Sequence, residues 1–330
     1  MSRRNLHTPF ILCIAYVSLV AFGTGTASIK EWDVPTPKSF PHDPAVGPDG
    51  SLWYTGILAN TIGKLDPATG TIKEYRLKTP DSGPHGLTVD TDGYIWFTAN
   101  YKGYIGRLDP RTGNVKEYPM PSHLAHDPHS LVFDHAGMLW FTVQLGNFVG
   151  RLDPQNGTIT LRPSPTADSK PYGIVVDSRG VPFFCEFGTN KIGRINPKTM
   201  EINEYLLPEG ARPRRLAITR DDIIFYTDYQ RGYLGRLDPK NGRVNEWLSP
   251  GGKDSRPYGI AITPDSMVWY SESGLEPNTV VRFDPKEATF AKWDIPSGGG
   301  VVRNIAPTPG GDIYIACSGM NKVGVVRIRY

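Results

Sequence analysis

From residue 28 onward, apolar and polar positions alternate in runs of about five residues, separated by turns rich in Gly, Asp and Pro. The stretch from Pro84 to Pro121 reads PHGLTVDTDGYIWFTANYKGYIGRLDPRTGNVKEYPMP. Residues 86–89 alternate as a half-buried strand does, and Asp90-Thr-Asp-Gly93 supplies a tight turn. Residues 94–99, 104–108 and 115–119 predict three further strands, with a turn at Arg111-Thr-Gly113 before the last. No segment after residue 28 shows a helical period, so the pattern predicts an all-β fold.

The same four-strand pattern recurs. Equivalent residues fall at His42, His85, His129, Tyr172, Arg214, Tyr258 and Arg303, a spacing of 42 to 45 residues. Short strands repeated at this period predict the blades of a β-propeller, here seven-bladed and a single domain over residues 28–330. The last copy stops after its third strand, whereas Ile29-Lys-Glu-Trp32 matches the fourth-strand segments Ile72-Lys-Glu-Tyr75 and Val115-Lys-Glu-Tyr118. The N-terminal strand is therefore expected to complete the last blade, which removes an open sheet edge. Recurrent Gly63, Gly106, Gly150, Gly193 and Gly235 are expected at close contacts between neighbouring blades. Trp53, Trp96, Trp140 and Trp269 are expected to fill space between sheets.

Aligning the copies by register exposes positions where scaffold alone does not explain the residue. One ring reads His42, His85, His129, Tyr172, Arg214, Tyr258, Arg303. Fourteen positions later a second reads Gly56, Ala99, Val143, Glu186, Asp228, Glu272, Cys317. An inner strand and its antiparallel neighbour bring both rings to one rim of the central channel. Imidazoles then occupy blades 1–3 and carboxylates blades 4–6, a convergence that predicts a binding site. His129 lies in Asp127-Pro128-His129, where a carboxylate close to an imidazole can orient it or hold a cation.

Composition narrows the partners. Arg3 and Arg4 precede an apolar run over residues 9–22 and the small residues Gly25-Thr-Ala27. That order predicts a signal peptide over residues 1–27 and an exported, periplasmic or secreted protein with no membrane attachment after cleavage. The remaining 34 basic and 33 acidic residues leave a charge of +1, which argues against nucleic acid as a partner. Cys185 and Cys317 fall three blades apart, so the fold is not expected to be disulfide-stapled. A propeller of this length is expected to be stable as a monomer.

The repeated Pro-(His/Tyr)-Gly-(Ile/Leu), Trp-Phe-Thr and Ile-Gly-Arg-Leu segments resemble those of the virginiamycin B lyase (streptogramin B lyase) family through all seven copies. The resemblance implies a carbon–oxygen lyase that opens a cyclic depsipeptide or lactone by elimination. A histidine base takes the proton α to the carbonyl, Mg²⁺ offsets the developing enolate, and the ester oxygen leaves. By that likeness His129 is the base, Asp127 a metal ligand, and His85 a substrate contact. The family's second metal carboxylate, fourteen residues after the base, falls on Val143, with Glu186 equivalent one blade on. His42, Tyr172, Arg214, Tyr258, Arg303, Asp228 and Glu272 are the remaining candidate ligand contacts. The alternative is a non-catalytic propeller that binds a small molecule, glycan or protein at the same rim.

Overall fold

The computed structural model describes residues 26–329, which form seven four-stranded antiparallel sheets. Blade 1 runs outward through Pro41–Val46, Leu52–Gly56, Thr61–Leu65 and Ile72–Arg76. The inner strands of blades 2 to 7 are Pro84–Val89, Pro128–Phe133, Pro171–Val176, Pro213–Ile218, Pro257–Ile262 and Val302–Pro307. Each inner strand packs against those of both neighbours, and blade 7 meets blade 1, so the sheets close into a propeller.

Closure follows the expected route. Thr26–Asp33 pairs along its whole length with Lys322–Arg329 and becomes the outer strand of blade 7. Glu31 fastens it to the preceding loop by accepting from Ser297 N (2.9 Å) and Ser297 Oγ (2.5 Å). The pairing begins at Thr26↔Arg329, two residues before the expected cleavage point; the rest of the expected leader lies outside the described residues. Among the described residues no helix is long and apolar enough to cross a membrane.

The repeated residues have local explanations. The glycines do not sit between blades as expected; each makes room for the aromatic ring of its own blade's second strand. A Cβ on Gly106 would lie 2.1 Å from Phe97, and the same holds for Gly63 with Tyr54 and Gly150 with Phe141. The tryptophans are buried, and Trp96 and Trp140 donate from the indole nitrogen to Asp90 (2.7 Å) and Asp134 (2.8 Å).

Threonine of the Trp-Phe-Thr segment performs a further task. Every inner strand carries a bulge just after its first residue, which leaves a backbone N–H without a ladder partner. Thr142 Oγ1 accepts that N–H from Ser130 (3.2 Å) and donates to the Tyr172 carbonyl of the next blade (2.6 Å). Thr55, Thr98, Thr227 and Ser271 repeat this latch toward His85, His129, Tyr258 and Val302. The hydroxyls thus satisfy the bulges and tie the first residues of successive inner strands together. Blades 4 and 7 depart from the pattern, with buried Cys185 and Ala316 at the equivalent position.

Candidate functional site at one end of the channel

The bulges direct the first ring inward. His42, His85, His129 and Tyr172 stand side by side on blades 1 to 4, with successive ring centroids 3.9 Å apart. Their planes tilt by 46–49°, close to the one-seventh turn between blades. Tyr172 and Tyr258 join through their hydroxyls, beside Arg214. The Arg214 guanidinium lies 3.9 Å from the Tyr258 ring centre, 4.2 Å from Tyr229, 4.6 Å from Phe187 and 5.0 Å from Tyr172. Arg303 lies over Phe40 at 5.0 Å. The structure therefore brings together all seven residues of the first ring.

Immediately beneath lies a second tier that sequence reading missed. The residues following the ring are Asp43, Gly86, Ser130, Gly173, Arg215, Gly259 and Asn304. A Cβ at Gly86, Gly173 or Gly259 would come within 2.3–2.8 Å of the next blade's backbone, so even-numbered blades carry glycine. Odd-numbered blades carry polar side chains that meet across the axis. Arg215 spans the channel to hold both Asp43 oxygens (2.9 and 3.0 Å) and donates to Ser130 Oγ (3.1 Å). Asn304 reaches Asp43 (3.2 Å), which also bonds His42 Nδ1 (2.9 Å), while Ser130 Oγ meets His129 Nδ1 (3.1 Å). The signal was legible: glycine alternates with polar residues directly beside the ring.

Burial sets the protonation of this assembly. It lowers the pKa of His42, although hydrogen bonding to Asp43 opposes the shift. His85 and His129 are held well below the ordinary imidazole value by burial first, then by neighbouring imidazole and arginine charge. All three rings are therefore neutral at pH 7. Burial alone would raise the Asp43 carboxyl, but Arg215 and the His42 hydrogen bond outweigh it and keep Asp43 ionised. One carboxylate then faces Arg214, Arg215 and Arg303, an excess of two positive charges. Neither Arg214 nor Arg303 has a carboxylate partner among the described residues.

The expected carboxylates do not join this cluster. Asp127 turns into its own blade, where it accepts from Leu145 N (2.6 Å) and Gly146 N (3.0 Å). Glu186 takes hydroxyl bonds from Ser164 and Thr189, and Asp228 pairs with Arg231 at 2.5 Å. Glu272 is held by Ser249, Gly251 N and Thr279. The second ring lies at the expected end of the strands, but its side chains enter the packing between sheets, where Val143 and Cys317 also belong. The reason is strand alternation: the inner strand's bulge, absent from the second strand, turns only the first ring into the channel.

A divalent cation of the kind the resemblance implies needs convergent oxygen donors. Asp127 and Glu186 point elsewhere, and position 143 is apolar. Donor atoms of His42, Asp43 and His85 do lie within 4.8 Å of one another, yet Arg215 already occupies both Asp43 oxygens. With two further guanidinium charges at this end, these residues do not fit Mg²⁺. A cavity of about 560 Å³ opens at the opposite mouth between Val46, Val89, Ile218, Ile262 and Pro307. The histidine end is filled by its own side chains, with His42, His129, Tyr172 and Tyr258 at most 3% exposed.

Fold and site together define a seven-bladed propeller whose channel end is cationic and imidazole-rich. The virginiamycin B lyase family model matches residues 18–186 and 183–329, and the chain belongs to that family. A streptogramin B lyase structure is similar at 28% identity and TM-score 0.84, over 92% of this chain and 98% of that one. A selenomethionine virginiamycin B lyase from Staphylococcus aureus is similar at 27% identity and TM-score 0.81, over 91% and 99%. A catalytically inactive virginiamycin B lyase variant from that organism, with quinupristin, is similar at 26% identity and TM-score 0.80, over 91% and 99%. No curated protein sequence matches the chain.

Proposed function

We propose that the protein binds a small organic molecule bearing an oxyanion or polarised carbonyl at the histidine–tyrosine–arginine end of its channel. The carrying observation is the pair Arg214 and Arg303, which lack carboxylate partners beside three neutral imidazoles. Ligand oxygen supplies the missing counter-charge, and neutral imidazole can donate or accept a hydrogen bond. Calorimetric or NMR titration with small carboxylates tests this. Saturable binding lost in Arg303→Met supports it, and indifference to that change rejects it. The leader-like order of residues 1–27 supports an exported setting for this activity.

Family membership favours a second reading, elimination from a cyclic depsipeptide. His129, whose Nδ1 engages Ser130, would use Nε2 as the base, and His85 beside it would contact the ester. Arg214 and Arg303 would offset the charge that develops on the carbonyl oxygen. Mass spectrometry of a streptogramin B incubation separates the outcomes: elimination opens the ring without change of mass, whereas hydrolysis adds one water. Turnover unaffected by EDTA and lost in His129→Ala supports this chemistry. An unaltered depsipeptide in the presence of a carboxylate-binding protein leaves binding as the function.

A further inference from the structure

Among the described residues, the large apolar side chains that stand exposed lie on one face of the propeller. Leu58, Tyr101, Leu124, Leu145, Leu206, Leu248 and Met320 are exposed, and all belong to the face that carries the histidine ring. Strand direction establishes this. Inner strands start at that face, second strands end there, and the residues concerned follow second strands, end outer strands or precede an inner strand.

Three of them share one register. Leu58, Tyr101 and Leu145 each lie two residues beyond the second strands Leu52–Gly56, Ile95–Ala99 and Leu139–Val143. They belong to blades 1, 2 and 3, the blades that carry His42, His85 and His129. Their exposures are 61%, 56% and 67%. The equivalent residues of blades 4 to 6 are Gly188, Gln230 and Gly274. Two local contacts fix this apolar arc. The Tyr101 ring lies over Gly83, two residues before His85, where a Cβ would be 2.4 Å from the ring. Asp127 holds the Leu145–Gly146 backbone, which explains why that carboxylate faces away from the channel.

Unpaired positive charge lies elsewhere on the same rim, at Arg214 of blade 5 and Arg303 of blade 7. Water-exposed apolar groups in register on one side, and unmatched guanidinium groups on the other, complement a molecule with the same two-sided character. Resting on the binding function proposed above, we propose that the ligand is an anionic amphiphile. Its carboxylate or phosphate meets Arg214 and Arg303, and its apolar body covers Leu58, Tyr101 and Leu145. The neutral histidine arc lies beneath as a polarisable floor.

The test titrates the full described chain with octanoate, acetate, octyl phosphate and octanol, followed by NMR shifts. Octanoate and octyl phosphate are expected to bind at least about tenfold tighter than acetate, because burying several methylenes supplies that gain. The triple variant Leu58→Ser/Tyr101→Ser/Leu145→Ser, altered at exposed positions, is expected to lose this preference while keeping acetate affinity. Arg303→Met is expected to lose every anion. Equal binding of octanoate and acetate, both lost in Arg303→Met, overturns the amphiphile inference and leaves the binding function standing. Binding indifferent to Arg303, or octanol binding as tightly as octanoate, overturns both. Concentration-dependent self-association that the triple variant abolishes, without an octanoate preference, overturns it by assigning the arc to a second copy of the chain.

Discussion

Replacing Asp43 by Asn preserves the shape of the side chain but removes its charge from the centre of the channel. Asp43 and Arg215 are only 2% and 7% exposed at their side chains, are separated by 172 residues, and meet through two bonds of 2.9 and 3.0 Å. Without the carboxylate, Arg215 stays buried beneath two more guanidinium groups and lacks its counter-charge. Breaking a buried pair from one side costs roughly 3–5 kcal/mol, far more than an exposed pair contributes. Arg215→Met should cost a similar amount, because among the described residues it leaves buried Asp43 only His42 and Asn304 as side-chain partners. The double variant removes both charges and should cost at least ~2 kcal/mol less than the two single changes added. Urea denaturation of all four proteins at pH 7 provides the cycle. Acid provides an independent check through linkage. The folded carboxyl titrates below its unfolded value, so its contribution is present above about pH 4 and is lost as pH falls toward the folded value. Single-variant costs below ~1 kcal/mol, or strict additivity, would refute the claim that this pair holds the channel together.

Thr142→Val should cost roughly 2–4 kcal/mol in urea denaturation, because it strands the Ser130 N–H and the Tyr172 carbonyl inside the protein. Cys185→Thr should cost far less, which would show that blade 4 tolerates either residue. Burial and the neighbouring Glu204 push Glu186 up to about 7. The folded state thus holds a proton that the unfolded chain releases near pH 4.5, and stability falls as pH rises from there through 7. Glu186→Gln should remove that loss and exceed the parent's stability at pH 8 by more than ~1 kcal/mol relative to pH 5; parallel pH profiles would contradict it. Deleting residues 26–33 should expose the Lys322–Arg329 edge and cause aggregation or rapid proteolysis of blade 7, measured by light scattering and limited digestion.

Local repetition carried most of what the amino-acid order determined. Strand alternation, turn residues and a constant period define the blade, and seven copies with a matching N-terminal segment define a closed ring. The same register located His42, His85, His129, Tyr172, Arg214, Tyr258 and Arg303, because equivalent positions of a repeat have equivalent places. Only the tertiary structure decided where side chains point within that register. A one-residue bulge turns the first ring into the channel, while Glu186, Asp228 and Glu272, on the regular strand beside it, enter the packing between blades. The repeated glycines likewise read as contacts between blades, whereas an aromatic ring of the same sheet lies where each would carry a Cβ. The Asp43–Arg215 bond lies furthest from sequence reading. Neither residue's neighbours in the chain specify the other, and they meet only because closing seven blades brings residues 172 positions apart to opposite sides of one narrow axis.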